Sequence, residues 1–323
     1  MGMTMMQPEV LVIGAGVSGL TTAICLAEAG RRVTVAAADP PPRTTSAAAG
    51  AVWGPHLVGM DDRVEKWGQG TLDALTDLAA DPATGVRLAD GTAGTRDDQG
   101  DPPDWVAARF GSRPCTPGEL PDGYAGGWRL TVPIVSMTVY LGYLLARLER
   151  AGAGLRTAHF GSLAQAAELT GAPVIVNCSG IGASRLVPDP DVMPVRGQVV
   201  IARNPGLSDF FVGAGEAPDD FCYYFPHGDL VLLGGTEEQG NWSLEPDSAT
   251  AERILRNCAA VEPRLRGVAV TGHRVGLRPA RPSVRLDEES LNGRRLLHNY
   301  RHGGAGVTLS WGCARAVTAA VLG

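Results

Sequence analysis

The sequence predicts an α/β chain in two parts, a Rossmann-type unit and an antiparallel-sheet α+β unit. Three observations predict it. Near the N-terminus a short apolar strand runs into a GxGxxG turn and then into a helix with one apolar face. Beyond residue 196, short β-rich runs recur at hairpin spacing. A chain of 323 residues has room for about two domains at ~150 residues each.

Val10 to Ile13 is a run of aliphatic residues, the pattern of a strand buried on both faces. The turn Gly14-Ala15-Gly16-Val17-Ser18-Gly19 follows, then a helix carrying Leu20, Ala23, Ile24, Leu26 and Ala27. Gly30 ends that helix and Val33-Thr34-Val35 opens the next strand, completing a βαβ unit. Prolines rule out a regular element at the start of residues 40–52, and small residues follow them. Residues 69–80 predict a short amphipathic helix, and residues 81–104, rich in Pro, Gly and Asp, predict a loop. Residues 137–152 predict the longest helix, and Val174-Ile175-Val176 another buried strand. Strands are then expected at Gln198 to Ala202, Cys222 to Phe225 and Leu230 to Leu233, with a helix near 248–260. Strands near 268–276 and 294–299 and an apolar helix from Gly306 complete the chain. Because parallel-type segments occur at both ends and in the middle, one domain is expected to be discontinuous. Residues 1–60, 130–190 and 290–323 are assigned to the dinucleotide domain, and 61–129 and 191–289 to the second domain.

Composition narrows the class. Lys plus Arg is 28 against 34 for Asp plus Glu, a net charge of −6, so a basic nucleic-acid footprint is not expected. No apolar run approaches the ~18 residues of a membrane span, and the N-terminus lacks the layout of a secretory signal. The six cysteines are scattered with no CxxC pair, which suits free thiols in the cytoplasm better than disulfides or a zinc site. No metal is expected.

The glycine turn points to a dinucleotide. Gly14 permits the tight turn, Gly16 lets a pyrophosphate approach, and Gly19 lets helix and strand pack closely. The helix N-terminus then offers N–H groups and partial positive charge to phosphate. Asp39 suits a ribose hydroxyl and equally suits a solvated turn before Pro40. A second glycine cluster, His302-Gly303-Gly304-Ala305-Gly306, precedes the last helix. A simple NAD-type protein does not need it, whereas a long extended FAD does.

The segments VIGAGVSGLTTA, TTSAAAGAVWGP, VNCSG, RGQ, LLGGTEEQGNW, GLRPARPSVRL and HNYRHGGAGVTLSWGCA, in that order, resemble the D-amino-acid oxidase family, which includes D-aspartate oxidases. The resemblance implies FAD bound by Gly14, Ala15, Gly16, Val17, Ser18, Gly19 and Asp39. Thr44, Thr45, Ser46, Gly50 and Ala51 would line the flavin, with a backbone contact from Val176. Gly303, Gly304, Ala305, Gly306, Val307 and Thr308 would wrap its carbonyl end. It further implies that Arg278 and Tyr223 bind the substrate carboxylate and that the Gly304 carbonyl meets the substrate amino group. The implied reaction passes the α-hydrogen of a D-amino acid to flavin N5 with no protein acid or base. The imine hydrolyses to a 2-oxo acid and ammonia, and O2 reoxidises the flavin to give H2O2. A homodimer is compatible with the resemblance.

Gly54 stands where some members have Gln, and Ala305 where some have a larger residue. A lid tyrosine has no clear match, Asp219 and Asp220 being nearest. Glu216, Asp219 and Asp220 are expected to bias the mouth toward neutral or cationic substrates. From the residues alone, Arg278 suits a carboxylate fork or a structural salt bridge, the role expected of Arg274, Arg281 and Arg285. Tyr223 and Tyr224 should face opposite sides of a strand, and His302 should pack rather than act as a base. A D-aspartate oxidase, a dehydrogenase using another acceptor, and a non-catalytic flavin binder are the alternatives. The chain ends Val-Leu-Gly, without the peroxisomal tripeptide of many eukaryotic members.

Overall fold

A computed structural model describes residues 8–96, 112–213, 221–280 and 283–323. Val10–Ile13 lies between Val33–Ala37 and Val174–Asn177, parallel to both. Its side chains alternate between two apolar layers. Val10 and Val12 pack with helices Val17–Glu28, Met137–Arg150 and Gly306–Leu322, whereas Leu11 and Ile13 face helix Leu163–Thr170. Cover on both faces explains why the strand is uniformly aliphatic. The six-stranded sheet runs Glu288–Leu291, Arg294–His298, Val174–Asn177, Val10–Ile13, Val33–Ala37, Gly154–Thr157. Only its edge pair Glu288–Leu291 with Arg294–His298 is antiparallel.

The second sheet has nine strands and is almost wholly antiparallel. Met193–Arg203 is its hub, pairing with Val270–Ala280 on one side and with Leu230–Gly234 and Glu238–Gln239 on the other. From there it passes through Cys222–His227 and Phe210–Gly213 to Val86–Thr95 and Gly126–Val135. The predicted α/β plus antiparallel architecture is the one observed.

Two local expectations are corrected. Residues 86–95, expected as loop, form a ten-residue strand in register with Gly126–Val135. Its glycines serve packing rather than turning: a Cβ on Gly91 would meet the Phe210 ring at 2.3 Å, and one on Gly94 would meet Tyr124 at 2.9 Å. Of the rest of that predicted loop, residues 97–104 lie outside the described residues. The helix expected from residue 69 begins at Asp62, because the Asp61 carboxylate caps it by accepting from Val64 N at 2.8 Å.

That helix, Asp62–Leu78, packs against Gly306–Leu322 at very close range. A Cβ on Gly312 would lie 2.1 Å from the Trp67 carbonyl oxygen. Gly312→Ala should therefore force the two helices apart and cost about 1–3 kcal/mol. Chemical denaturation of the variant should show a lower midpoint with an unchanged slope.

Candidate active site

The site starts where Val10–Ile13 ends. Gly14 turns at φ +112°, and a Cβ there would lie 2.4 Å from the Cys178 carbonyl oxygen. Gly14 N donates to Ala36 O at 2.9 Å, which draws the turn beside the end of Val33–Ala37. Asp39 is exposed two residues beyond that strand, on the same sheet edge. A Cβ on Gly19 would sit 2.0 Å from Gly14 O, so helix and turn touch only because both are glycine. Ala15 and Val17 are buried side chains and can offer a ligand only backbone. The helix begins with no side-chain cap and no acid in its first turn. Val17 N donates to Ser46 Oγ at 3.0 Å, while the Ser18 and Gly19 N–H groups meet no protein acceptor among the described residues. Beside Gly14, the Ser179 hydroxyl is buried with no partner. This is an anion cradle with free donors.

The segment Thr44 to Ala51 runs half-buried from this cradle toward the second sheet. Thr44 spends its hydroxyl on Pro41 O at 2.7 Å, and Thr45 donates to Leu277 O at 3.2 Å, one residue before Arg278. A Cβ on Gly50 would press on Phe225 and Tyr223 at 2.9 and 3.1 Å. Ala51 holds φ +58° as the chain turns away.

The C-terminal glycine loop closes the other side. A Cβ on Gly303 would lie 1.9 Å from Leu57 O, and one on Gly304 2.2 Å from His56 Cδ2. Gly304 N donates to His56 O at 3.1 Å. Ala305 and Val307 are buried, Gly306 opens the last helix, and Thr308 donates to Gly54 O at 2.8 Å. Ser18 Oγ lies 3.4 Å from His302 Nδ1, and Thr21 donates to Ser310 O at 3.2 Å. The two glycine loops, nearly the whole chain apart, thus stand side by side.

Val176 is a correction. It is fully buried in mid-sheet, paired with Val12 on one side and Leu297 on the other, so neither its side chain nor its backbone faces a ligand. The free polar group on that strand's exit is Ser179 instead.

Arg278 and Tyr223 come together from different strands. Arg278 is half-buried; its Nη1 donates to Thr236 O at 2.8 Å, and its guanidinium fills the space a Cβ on Gly197 would need. Among the described residues no carboxylate forms an ion pair with it. Tyr223 is 5% exposed, stacked on Phe225 at 4.7 Å, with its ring laid against Gly234 and Gly235. Burial pushes its phenol up to about 12, with Arg278 pulling the other way, so it is a neutral donor at any working pH. Tyr224 faces the opposite layer, against Phe211. Arg274 donates to Ala47 O and Thr138, and Arg285 pairs with Asp287 and Glu289, which are structural roles. Arg281, Glu216, Asp219 and Asp220 lie outside the described residues.

His302 is buried between Ser18 and Asn299, and burial alone pushes it down to about 4. His227 is likewise pushed to about 4, by burial and then by Arg87 and Arg274. An unfolded histidine titrates near ~6.5. Protonation therefore favours the unfolded chain: this stability is intact above pH ~6.5 and is lost as pH falls toward the folded values, by up to ~1.4 kcal/mol per pH unit per histidine. Denaturant titrations from pH 6.5 to 5 should show that decline, and His302→Gln should flatten its share.

Sequence reasoning missed Ser179, and it missed the pair His56 and Glu237 beside Gly304. His56 Nε2 is 3.1 Å from Glu237 Oε1. Their segments show no local pattern that would announce the contact. Among the described residues, no three metal-ligating side chains converge and no helix is long and apolar enough to cross a membrane.

A dinucleotide cradle on a parallel sheet, joined to an antiparallel sheet carrying an arginine and a tyrosine, defines a nucleotide-dependent oxidoreductase of two-sheet type. The FAD dependent oxidoreductase (DAO) family matches residues 9–320, and the chain belongs to that family. It is 50% identical over 310 residues to a D-amino-acid oxidase of Rubrobacter xylanophilus, covering 96% of this chain and 94% of that one. It is 46% identical over 312 residues to a D-amino-acid oxidase of Streptomyces coelicolor, covering 95% and 94%. Its fold matches the crystal structure of glycine oxidase from Geobacillus kaustophilus with TM-score 0.79 at 20% identity, over 96% of this chain and 93% of the other.

FAD is the cofactor, and the residues present fit it. The unpartnered Ser179 hydroxyl and the free N–H groups of Ser18 and Gly19 suit a pyrophosphate. The half-buried run from Thr44 to Ala51, ending against Tyr223, suits a long planar group laid toward the second sheet.

Proposed function

We propose that the protein is a D-amino-acid oxidase, converting D-amino acids to 2-oxo acids and ammonia with O2 as electron acceptor. The relatives named above support this reading, and one observation carries it. Arg278, half-buried and without a carboxylate partner among the described residues, is close enough to the Tyr223 phenol for its charge to act on it, and the phenol makes no hydrogen bond among the described residues. A planar fork and a neutral donor converging on one space make a receptor for a carboxylate.

In this reading Arg278 takes the substrate carboxylate bidentately and Tyr223 donates to one of its oxygens. The Gly304 carbonyl accepts from the amino group, fixing the α carbon at a second point. Bound FAD supplies the two-electron acceptor for the α-hydrogen and returns the electrons to O2 as H2O2. The chain's own part is orientation, exclusion of water and choice of hand. His302 does not serve as a base: it is held between Ser18 and Asn299, and burial pushes it down to about 4. The expected division, 1–60, 130–190 and 290–323 for FAD and 61–129 and 191–289 for the substrate, shifts at three bounds. Helix Asp62–Leu78 packs on Gly306–Leu322 and goes with the FAD unit, strand Glu288–Leu291 joins the parallel sheet, and residues 130–135 end a strand of the second sheet. The six free cysteines suit work in the cytoplasm.

The test is anaerobic mixing of the purified holoprotein with D-Ala, D-Arg and D-Asp, then with their L-forms. Bleaching of the flavin band near ~450 nm by D-forms alone supports the reading. A flavin band that no amino acid bleaches overturns it.

A further inference from the structure

The pair His56 and Glu237 has no part in the carboxylate clamp, yet it borders the same space. Glu237 follows Thr236, whose carbonyl accepts from Arg278. His56 contributes the carbonyl that receives Gly304 N, and its ring covers the place where a Gly304 side chain would be. That ring stacks on Phe221 at 5.4 Å and 11°, and Phe221 meets the Tyr223 ring edge-on at 5.4 Å. Glu237 therefore stands beside the clamp, among the groups around it.

The pairing is incomplete. His56 Nε2 lies 3.1 Å from Glu237 Oε1 but off the line of a good hydrogen bond, and this buried nitrogen has no other partner. Glu237 keeps 24% of its side chain exposed, and the close contact with His56 first, then the charge of Arg278, holds its carboxyl below the usual carboxylate range. A carboxylate that stays ionised, half-exposed and poorly matched to its one neighbour has acceptor capacity to spare.

We propose that Glu237, steadied by His56, anchors the substrate side chain and makes the enzyme prefer D-amino acids whose side chains end in a cation. The inference rests on the oxidase reading. Arg278 takes the negative end of such a substrate and Glu237 the positive side-chain end, so a long zwitterionic molecule lies between opposite charges. An acidic side chain would meet like charge, and an aliphatic one would leave Glu237 to His56 alone.

The experiment compares D-arginine with D-citrulline, nearly isosteric but neutral at the end group, in the FAD-loaded enzyme. The wild-type ratio of kcat/KM should exceed about tenfold in favour of D-arginine, with a matching ratio in the concentrations that half-bleach the flavin anaerobically. Glu237→Gln should bring the ratio within about twofold of unity, and Glu237→Lys should favour D-glutamate over D-glutamine. A wild-type ratio near one overturns the inference without any variant. A ratio unchanged in Glu237→Gln overturns it too, since Glu237 would then meet a group common to all substrates. D-alanine separates the two failures: if it bleaches the flavin while the ratios stay flat, only this inference falls. If no D-amino acid bleaches it, the oxidase reading falls first.

Discussion

Arg278→Met should lower kcat/KM for D-amino acids by about a thousandfold, almost all of it in KM, while the protein keeps its FAD. Removing one partner of a buried, hydrogen-bonded charge pair costs about 2–5 kcal/mol, and ~1.4 kcal/mol is tenfold in rate. A loss of about 4 kcal/mol, toward the upper end of that range, gives the expected thousandfold. Arg278→Lys keeps charge but not the planar fork, so it should recover only about a tenth to a hundredth of the wild-type value. Tyr223→Phe removes one neutral donor and should cost about tenfold. A structural Arg278 would behave differently. It holds one internal hydrogen bond, to Thr236 O, and the descent of the chain around it relies on backbone pairing of Arg278 with Val195. Loss of that bond alone would lower stability and leave KM untouched. Steady-state kinetics beside a flavin absorbance measurement separates the two.

Arg278 also shows where sequence legibility ends. Arg196 lies on the neighbouring strand, paired with Leu277, and it too is flanked by glycine. In sequence the two arginines look alike. In the fold, one residue of offset turns them to opposite faces. Arg196 is 2% exposed and spends its guanidinium on Glu238, Gln198 and the carbonyls of Ser243 and Glu245. Arg278 meets one carbonyl. Only the partners, which come from 40 or so residues away, distinguish brace from receptor.

What was legible is what is local. The turn from Gly14 to Gly19 reports itself because close approach, positive φ and a helix start all demand glycine within six positions. The last glycine loop is legible for the same reason. Residues 86–95 were not, because their small side chains make room for Phe210 and Tyr124, whose positions the strand does not encode. Val176 misled because the resemblance carried a backbone contact onto a strand that is here paired on both sides, with no free backbone edge to offer. The contact of His56 with Glu237 joins segments that nothing in composition or periodicity connects.

Gly19→Ala should yield a folded but colourless protein. A Cβ at that position would sit 2.0 Å from Gly14 O, 2.9 Å from Gly14 C and 3.4 Å from the Cys178 side chain. The first two are backbone atoms of the cofactor turn, which cannot rotate aside as a side chain can. The turn must move, and with it the alignment of the Ser18 and Gly19 N–H groups toward a phosphate. Overpacking of this kind costs about 1–3 kcal/mol in stability, and FAD affinity should fall by at least about thirtyfold as the donors lose their line. Linkage adds to the loss, because bound FAD stabilises only the folded chain. Gly142→Ala is the control. Gly142 is exposed on helix Met137–Arg150 with nothing within 4 Å of its Cβ position, so alanine there should leave FAD binding intact and add up to about 1 kcal/mol. Titration of FAD into both variants, followed by flavin fluorescence, reads the difference directly. Equal affinity in the two would mean that the turn does not hold the pyrophosphate, and the cradle would have to be sought at Ser179 and the C-terminal loop alone.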